Sequence, residues 1–223
     1  MIQIKIGIKN RRILTSSFLS TNPIEESIMS SHADGIGPAT EIRVQEPVGS
    51  TADNPHWTET LRDGSHVLIR SIQPADIDLE RAFIEGLSPE SRRFRFLGSF
   101  REPTDELLRH LTDIDHRHDA AFIALVHREG QKREVGVGRF SLSTDGRSCE
   151  CAVAVADEWQ NKGLGVLLMG HLIKVARERG IRSMISYDAA DNTGMRDLAR
   201  FLGFSRAPDP NDPRQVVHTL VLR

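Results

Sequence analysis

The residues of this chain with the clearest chemical capacity belong to a short polar turn, residues 160–165, which read QNKGLG. A run of small apolar residues precedes the turn, and a segment with the apolar spacing of a helix follows it directly. A glycine-containing turn at the start of a helix directs several backbone N–H groups to one point, where the helix dipole adds partial positive charge. The turn therefore predicts a binding site for a phosphate or pyrophosphate group.

The spacing of this turn differs from that of the two common nucleotide motifs. It is not G-x-x-x-x-G-K-[ST], and Val166 and Leu168 follow where G-x-G-x-x-G would need further glycine. The pattern is instead Gln-x-x-Gly-x-Gly, with Trp159 directly before it. Taken alone, it also fits a helix start whose glycines only allow close packing, so the surrounding elements decide. The missing phosphate motifs disfavour a nucleotide-binding protein.

The turn must be positioned by the elements on either side, and these predict a strand–turn–helix–strand unit. The first strand is predicted over 149–156. The helix after the turn carries an apolar stripe and ends at Gly180, a suitable residue for the position after a helix. A second short strand is predicted over 182–187. The turn therefore lies at the carboxyl end of the first strand, where α/β sheets usually bind ligands.

The rest of the chain predicts further strands and helices around this unit. The additional strands are 66–70, 121–126, 134–140, a short strand near Phe204, and 216–222. Helices are predicted to begin at Pro74, Ser88 and Thr104 and to span 195–202. The predicted order is β-α-α-β-β-β-α-β-α-β-β, which indicates an α/β fold.

Length and composition fit one domain with a tail. Of the 223 residues, 39% are hydrophobic but only 5% aromatic, which predicts an aliphatic core. Residues 1–58 are predicted to be a disordered or poorly ordered tail, because Ser, Thr, Pro, Gly and Glu dominate most of it, and 59–223 to be the folded domain. There is neither an apolar run of membrane-spanning length nor a signal-peptide pattern. We therefore expect a cytoplasmic protein with no membrane partner.

Charge and ligand spacing argue against two further classes of function. The formal net charge is −2, with 29 basic and 31 acidic residues, so there is no basic excess for nucleic acid. Cys149 and Cys151 lack a second pair and do not form a zinc motif, and the close histidines His116 and His118 are typical of a solvated loop. No nucleic-acid partner and no metal are expected.

The turn and the order of elements resemble the GNAT N-acetyltransferase superfamily over roughly residues 60–223. Several phrases are more closely similar to the acetyltransferase domain of bacterial Pat-type protein-lysine acetyltransferases. They are LRDG at 61–64, IR at 69–70, LSPESR at 87–92, EVGV at 134–137 and AVADEWQ at 154–160. The resemblance implies a mixed, mostly antiparallel central sheet flanked by helices, with acetyl-CoA in a cleft between splayed central strands.

The resemblance also implies how acetyl-CoA would bind, as cosubstrate. Backbone N–H groups of the turn would hold the pyrophosphate, Lys162 would add charge, and residues 153–155 would pair with the pantetheine arm. One of their N–H groups, expected to be that of Val155, would polarise the thioester carbonyl. Asn192 stands where the family often has a side chain that touches pantetheine. The implied cofactor-binding residues are Val153, Ala154, Val155, Gln160, Asn161, Lys162, Gly163, Leu164, Gly165, Val166 and Asn192.

Acetyl transfer to an amine needs a proton acceptor, because an amine with a pKa near 10.4 is mostly protonated at neutral pH. Glu150 is the acidic residue inside the strand that leads to the turn, five residues before Val155. The resemblance to the Pat-type proteins implies that a glutamate at this strand position is the general base. The alternative is that Glu150 is a surface glutamate without a catalytic role. The helix after Asn192 has no tyrosine to act as general acid, so the leaving thiolate is expected to take its proton from water.

The predicted function is transfer of an acetyl group from acetyl-CoA to a primary amine by direct attack. Protein lysine is the first acceptor class and a small-molecule amine the second. Cys149 and Cys151 should point to the sheet face opposite Glu150, so a covalent relay is not expected. The alternative from another class is a non-catalytic acyl-CoA-binding regulatory module.

Overall fold

Eight strands, joined in one mostly antiparallel sheet, form the centre of the described part of the chain. The structure is a computed structural model that describes residues 55–97 and 102–223. The strands are β1 (His56–Thr60), β2 (His66–Ser71), β3 (Asp119–Arg128), β4 (Gln131–Leu142), β5 (Ser148–Val155), β6 (Ser183–Ala189), β7 (Ser205–Pro208) and β8 (Gln215–Val221). Their order across the sheet is β1-β2-β3-β4-β5-β6-β8-β7.

The helices of the described residues cover both faces of this sheet. They are α1 (Ile77–Gly86), α2 (Pro89–Phe96), α3 (Asp105–Thr112), α4 (Leu164–Glu178) and α5 (Thr193–Phe201). One buried cluster joins α1, α2 and α3 to β3 and β4, and a larger one joins α4 and α5 to the other face. The described helices include none that is long and apolar enough to cross a membrane. The predicted mixed, mostly antiparallel sheet with flanking helices is confirmed.

Two glycines of β4 allow α4 to lie very close to the sheet. A Cβ atom on Gly136 would come within 3.2 Å of Leu164 and Leu168, and one on Gly138 within 3.1 Å of Leu172. Because cores are packed as densely as organic crystals, such contacts leave no room for a methyl group without a shift of the helix. The glycines therefore set the distance between the sheet and the helix that follows the phosphate turn.

The parallel contact between β5 and β6 is short, and this opens the sheet. The two strands pair only from Ser148 to Glu150 on β5 and from Ser183 to Ile185 on β6. Beyond that point β5 continues to Val155 paired with β4 alone, while β6 continues paired with β8. The backbone of 151–155 therefore has one edge without a neighbouring strand, as a ligand that adds like a strand requires.

The sequence predictions differ from the structure at the beginning of the domain. Strand β1 starts at His56, three residues before the predicted boundary at 59, and three helices rather than the two of the predicted order separate β2 from β3. The five-residue β1 is too short to give a clear alternation, yet it buries Trp57 and Glu59 against the body of the domain. Most of the predicted tail, residues 1–54, lies outside the described residues.

Candidate active site

A cleft of about 770 Å³ lies where β5 and β6 separate. It is bounded by β5, the turn before α4, the starts of α4 and α5, and one side of α2. Among the predicted cofactor-binding residues, those that line it are Val153, Ala154, Val155, Gln160, Asn161, Gly163, Gly165, Val166 and Asn192. Lys162 lies beside the cleft without lining it, and Leu164 is buried in the core with 1% of its surface exposed.

The turn adopts a conformation that exposes backbone N–H groups. Asn161 and Gly163 have φ angles of +61° and +93°, and Gly163 is the N-cap residue directly before α4. Glycine reaches this backbone region without the steric cost that a side chain imposes. The N–H groups of Leu164 and Gly165 have no acceptor one turn earlier in the helix, so they are available to an anion. The Val166 N–H already donates to the Gly163 carbonyl at 3.1 Å. It is therefore less available to a pyrophosphate than the other N–H groups that the resemblance implies.

The side chain of Gln160 positions the turn. Its Nε2 donates to the carbonyl of Val155 at 3.2 Å and to Ser91 Oγ at 3.2 Å. The amide therefore links the end of β5, the turn and α2. Since both contacts are internal to the protein, the role that the geometry gives Gln160 is to hold the turn rather than to contact a ligand.

Asp157 fixes α2 against the same turn, a link that the sequence analysis missed. Its carboxylate accepts hydrogen bonds from the N–H and hydroxyl of Ser88 at 2.9 and 2.7 Å, and from the hydroxyl of Ser91 at 2.7 Å. Burial raises the pKa of Asp157, but these hydrogen bonds outweigh it, so the pKa lies below its ordinary value. A charged Asp157 therefore keeps α2 at the border of the cleft. The LSPESR and AVADEWQ phrases could have indicated this contact, because the first contains Ser88 and Ser91 and the second contains Asp157.

Asn192 begins α5, where its side-chain oxygen accepts a hydrogen bond from the Met195 N–H at 3.0 Å. This is the usual role of asparagine at a helix start. The neighbouring Asp191 forms an ion pair with Arg93 of α2, with 2.8 Å between the carboxylate oxygen and the guanidinium nitrogen. The two residues are 98 positions apart in the sequence. Asn192 thus lines the cleft with its oxygen already engaged, and its amide N–H groups are the part left to a ligand.

Glu150 lies in a second cavity of about 530 Å³, next to the cleft along β5. Ala152 also lines this second cavity, whereas Val153, Ala154 and Val155 line the cleft, so that β5 runs from one cavity into the other. Arg95 of α2 borders both. Glu150 is half-buried, and its charge, after burial, contributes to raising the pKa of Tyr187 on β6. A carboxylate therefore stands on the far side of the strand opening from the phosphate turn.

The two cysteines of β5 belong to the core beneath α4. Cys149 and Cys151 are both buried in the cluster that contains α4, whereas Ala154, which shares the alternation of Glu150, packs against the cluster of α1, α2 and α3. Burial raises the pKa of the Cys149 thiol to about 12 and that of Cys151 well above its ordinary value. Neither thiol is a nucleophile at neutral pH, because the thiolate is the reactive form.

A buried group of charged side chains under the second cavity was not foreseen from the sequence. Glu80 and Glu134 are 0% and 7% exposed, and Arg139, which lines the second cavity, donates to the carbonyl of Leu111 at 3.0 Å. Burial and the adjacent Glu80 carboxyl raise the pKa of Glu134 well above its ordinary value. The neighbouring Arg139 opposes this rise, because its positive charge lowers the pKa of Glu134.

No group of three or more His, Cys, Asp or Glu side chains in residues 55–97 and 102–223 is placed to hold a metal ion. His118 instead pairs with Asp115 at 2.6 Å, in the loop that borders the second cavity.

Comparison with known proteins identifies relatives over most of the described chain. Residues 84–204 match the model of the acetyltransferase (GNAT) family. The Pseudomonas aeruginosa protein named acetyltransferase PA5475 is 49% identical over 173 residues, which cover 78% of this chain and 93% of that protein. Acetyltransferase Pat of Mycolicibacterium smegmatis is 30% identical over 146 residues, and the chain spans 42% of its length.

Solved structures show the same fold at lower sequence identity. The GNAT domain of S. lividans PAT superposes with a TM-score of 0.68 at 23% identity, covering 75% of this chain and 97% of that domain. A cAMP-binding acyltransferase from Mycobacterium smegmatis superposes with a TM-score of 0.53 at 24% identity, covering 77% of this chain and 48% of that protein. At these sequence identities, the structural similarity shows that the proteins share a fold.

Proposed function

Since this chain belongs to the GNAT acetyltransferase family and is an acyltransferase, we propose that it moves the acetyl group of acetyl-CoA to a primary amine, with Glu150 as general base. The observation that carries the proposal is the course of β5. This strand passes from the phosphate turn, along an edge without a neighbouring strand, to a carboxylate in a separate cavity. A thioester held along that edge would stand between the turn and Glu150.

The cleft suits the extended shape and charge of acetyl-CoA. The N–H groups at the start of α4 would bind the pyrophosphate, with the positive end of the helix dipole behind them. The open edge of 151–155 would form hydrogen bonds with the amide groups of the pantetheine arm, as an added strand does. The Val155 N–H would then polarise the thioester carbonyl, and the amide of Asn192 would contact the same arm from α5.

Glu150 would supply the proton acceptor that the reaction needs. A protonated amine has no lone pair for attack, so the Glu150 carboxylate would accept a proton from it, through water molecules that span the distance along β5. The neutral nitrogen would attack the thioester carbonyl carbon and form a C–N bond. The attacking nitrogen loses its second proton to water, collapse of the tetrahedral intermediate breaks the C–S bond, and the CoA thiolate takes a proton from water. The high pKa values of the two cysteine thiols support this direct route over a thioester on the enzyme.

The acceptor class that the second cavity favours is a lysine side chain on a protein. Four carboxylates, from the loop between α3 and β3, the first residue of β3 and Glu150, line this cavity against the two arginines Arg95 and Arg139, and this excess of negative charge attracts a cationic amine. The four are Asp113, Asp115, Asp119 and Glu150. The cavity opens to the surface beside residues 113–119, which are largely exposed, so a lysine presented by a partner protein would reach it. The resemblance to Pat-type enzymes supports the same acceptor, with a small amine as the second class.

An acceptor screen tests the proposed function. The chain is mixed with acetyl-CoA and, in parallel, with lysine-containing peptides, folded proteins with exposed lysines and small polyamines, while released CoA is measured. We expect CoA release that depends on the acceptor, with mass spectrometry locating the acetyl group on a lysine nitrogen. Tight binding of acetyl-CoA without release by any acceptor class would instead support the non-catalytic acyl-CoA-binding module.

A further inference from the structure

A second cation, outside the Gln-x-x-Gly-x-Gly turn, lies against the proposed phosphate site. Arg62 belongs to the tight turn between β1 and β2, and its side chain lines the cleft. A Cβ atom built on Gly163 would lie 3.5 Å from both Cγ and Nε of Arg62. The arginine stem therefore lies along Gly163, and its guanidinium is carried past the start of α4.

Lys162, the cation of the turn itself, is engaged elsewhere. Its Nζ pairs with the Asp63 carboxylate at 3.0 Å and stands 4.6 Å from the centre of the Trp159 ring. Lys162 does not line the cleft. Hydrogen bonds from Ser65, followed by the contact with Lys162, lower the pKa of Asp63 to about 2, so the carboxylate stays charged. Lys162 is thus already engaged in an ion pair with Asp63 before any ligand binds.

The β1–β2 turn is held firmly where it presents Arg62. The N–H of Arg62 donates to the carbonyl of Lys162 at 3.0 Å, which joins the two turns directly. Within the turn, the Leu61 N–H donates to Ser65 at 2.8 Å and the Gly64 N–H to Leu61 at 3.0 Å. An arginine on such a turn loses little further freedom when it binds a ligand, which favours affinity.

Arg62 is one of two cations in a cleft whose charged residues are mainly carboxylates. Carboxylates outnumber cations among the residues that line the cleft, the former being Glu90, Asp157, Asp188, Asp191 and Asp197 and the latter Arg62 and Arg95. Arg95 also lines the second cavity. Among the described residues no hydrogen bond or ion pair of the Arg62 guanidinium is found, whereas Arg93 is paired with Asp191. Arg62 is the cleft-lining cation next to the phosphate turn.

We infer that Arg62 binds the pyrophosphate of acetyl-CoA, and that Lys162 acts through Asp63 to hold the turn that presents it. This inference rests on the proposed function, because it requires that the cleft binds acetyl-CoA. Arginine suits the task, since its planar guanidinium can make two parallel hydrogen bonds to phosphate oxygens. Lys162 is then a positioning residue.

Calorimetric titration with acetyl-CoA tests the contact of Arg62. A charge-assisted hydrogen bond contributes enough that Arg62→Ala should raise Kd about tenfold or more, with the unfolding temperature of the free protein unchanged. Arg62→Lys should recover part of the affinity, and Arg182→Ala, at an exposed arginine beyond the far end of α4, should bind like the wild type. Since one phosphate contact is lost, the Arg62→Ala variant should also show a weaker dependence of Kd on salt.

Titration with 3′-dephospho-CoA identifies the phosphate group involved. If Arg62 binds the pyrophosphate, the loss caused by Arg62→Ala is the same for CoA and for its dephospho form. A loss that disappears with the dephospho form would overturn the inference, as would wild-type affinity in a folded Arg62→Ala protein. A wild-type protein that binds neither compound would instead contradict the proposed function, so the two failures are distinguishable.

A double-mutant cycle tests the role of Lys162. If the lysine acts through Asp63, then Lys162→Ala and Asp63→Asn should each weaken acetyl-CoA binding, and the double variant should be no weaker than either one. If the lysine bound phosphate itself, Asp63→Asn would release it and leave the affinity unchanged or higher, while Lys162→Ala would lower it. That second pattern would contradict the positioning role.

Discussion

At the scale of single residues, the site depends on groups whose environment fixes one role for each. Gly163 takes a left-handed backbone conformation at the start of α4, which brings the first helical N–H groups to the cleft. Gln160 and Asp157 use their polar atoms on the protein itself and so hold the turn and α2 in place. The groups left to a ligand are therefore backbone N–H groups, the amide of Asn192 and the guanidinium of Arg62.

Gly163→Asp should abolish measurable acetyl-CoA binding, and Gly163→Asn provides the matched control. Both side chains have nearly the same size, and both residues tolerate a positive φ better than most, so the backbone strain is similar. Only the aspartate places a negative charge where the pyrophosphate is proposed to bind. Calorimetry should show a far weaker Kd for aspartate than for asparagine. Equal affinity in two folded variants would place the phosphates elsewhere.

Some features of single residues were predictable from the sequence, and others were not. The spacing of glycine and glutamine identified the turn, because such turns have few local solutions. The ion pair of Lys162 with Asp63 was not foreseen, since the two residues are 99 positions apart and only the fold brings β1–β2 to the turn. For the same reason, the buried pair Glu80 and Glu134 left no signal in the local pattern.

At the scale of elements, the attachment of β1 to α4 connects the edge of the sheet to the helix that begins at the phosphate turn. His171, buried in α4, donates or accepts a hydrogen bond at 2.9 Å with Glu59 of β1 and stacks on Trp57 with ring centres 3.9 Å apart. Burial lowers the pKa of His171 to about 4. The histidine is therefore neutral in the folded protein at neutral pH.

The pH dependence of stability should report this contact. The unfolded chain binds a proton at His171 near pH 6.5, whereas the folded protein does so only near pH 4. Between these values the unfolded state holds more protons, so the free energy of unfolding falls as the pH falls. His171→Gln keeps a hydrogen-bonding group but cannot titrate, and urea unfolding at several pH values should show a shallower fall. An unchanged slope would mean that His171 titrates alike in both states.

The elements themselves were largely predictable, with clear physical reasons for the exceptions. Strands β3, β4 and β5 and helix α4 have strong apolar periodicity, and all were predicted. Strand β1 was missed because five residues between polar segments give too short a pattern, and its burial depends on α4, more than a hundred residues away. No local property of β5 or β6 encodes their separation. It was implied only by the family resemblance.

At the scale of the whole molecule, the described chain forms one sheet whose opening joins two cavities. The cleft and the second cavity meet along β5, so the two substrates would approach from different sides of the domain. Such an arrangement favours a ternary complex over a covalent relay. Residues 1–54 lie outside the described residues.

Removal of residues 1–54 should leave folding and cofactor binding intact, whereas removal of β1 should not. A chain that begins at Pro55 retains Trp57 and Glu59, and also the hydrogen bond from the Ser71 N–H to the Pro55 carbonyl at 3.4 Å. A chain that begins at Leu61 loses the contacts of β1 with His171. Thermal unfolding with and without acetyl-CoA should show stabilisation by the ligand in the first protein and a lower unfolding temperature in the second. An insoluble or ligand-insensitive first protein would contradict the predicted tail.

The central claim is that Glu150 accepts the proton of an amine brought to an acetyl group held along β5. The measurement that tests it most directly is the rate of acceptor-dependent CoA release as a function of pH, for the wild type, Glu150→Gln and the surface control Glu178→Gln. The account predicts a fall of about 10²–10⁴-fold for Glu150→Gln at neutral pH, with acetyl-CoA affinity retained and part of the rate regained at high pH, where free amine is abundant. Glu178→Gln should match the wild type. A Glu150→Gln protein that turns over the true acceptor at the wild-type rate would contradict the account and leave Glu150 as a surface glutamate.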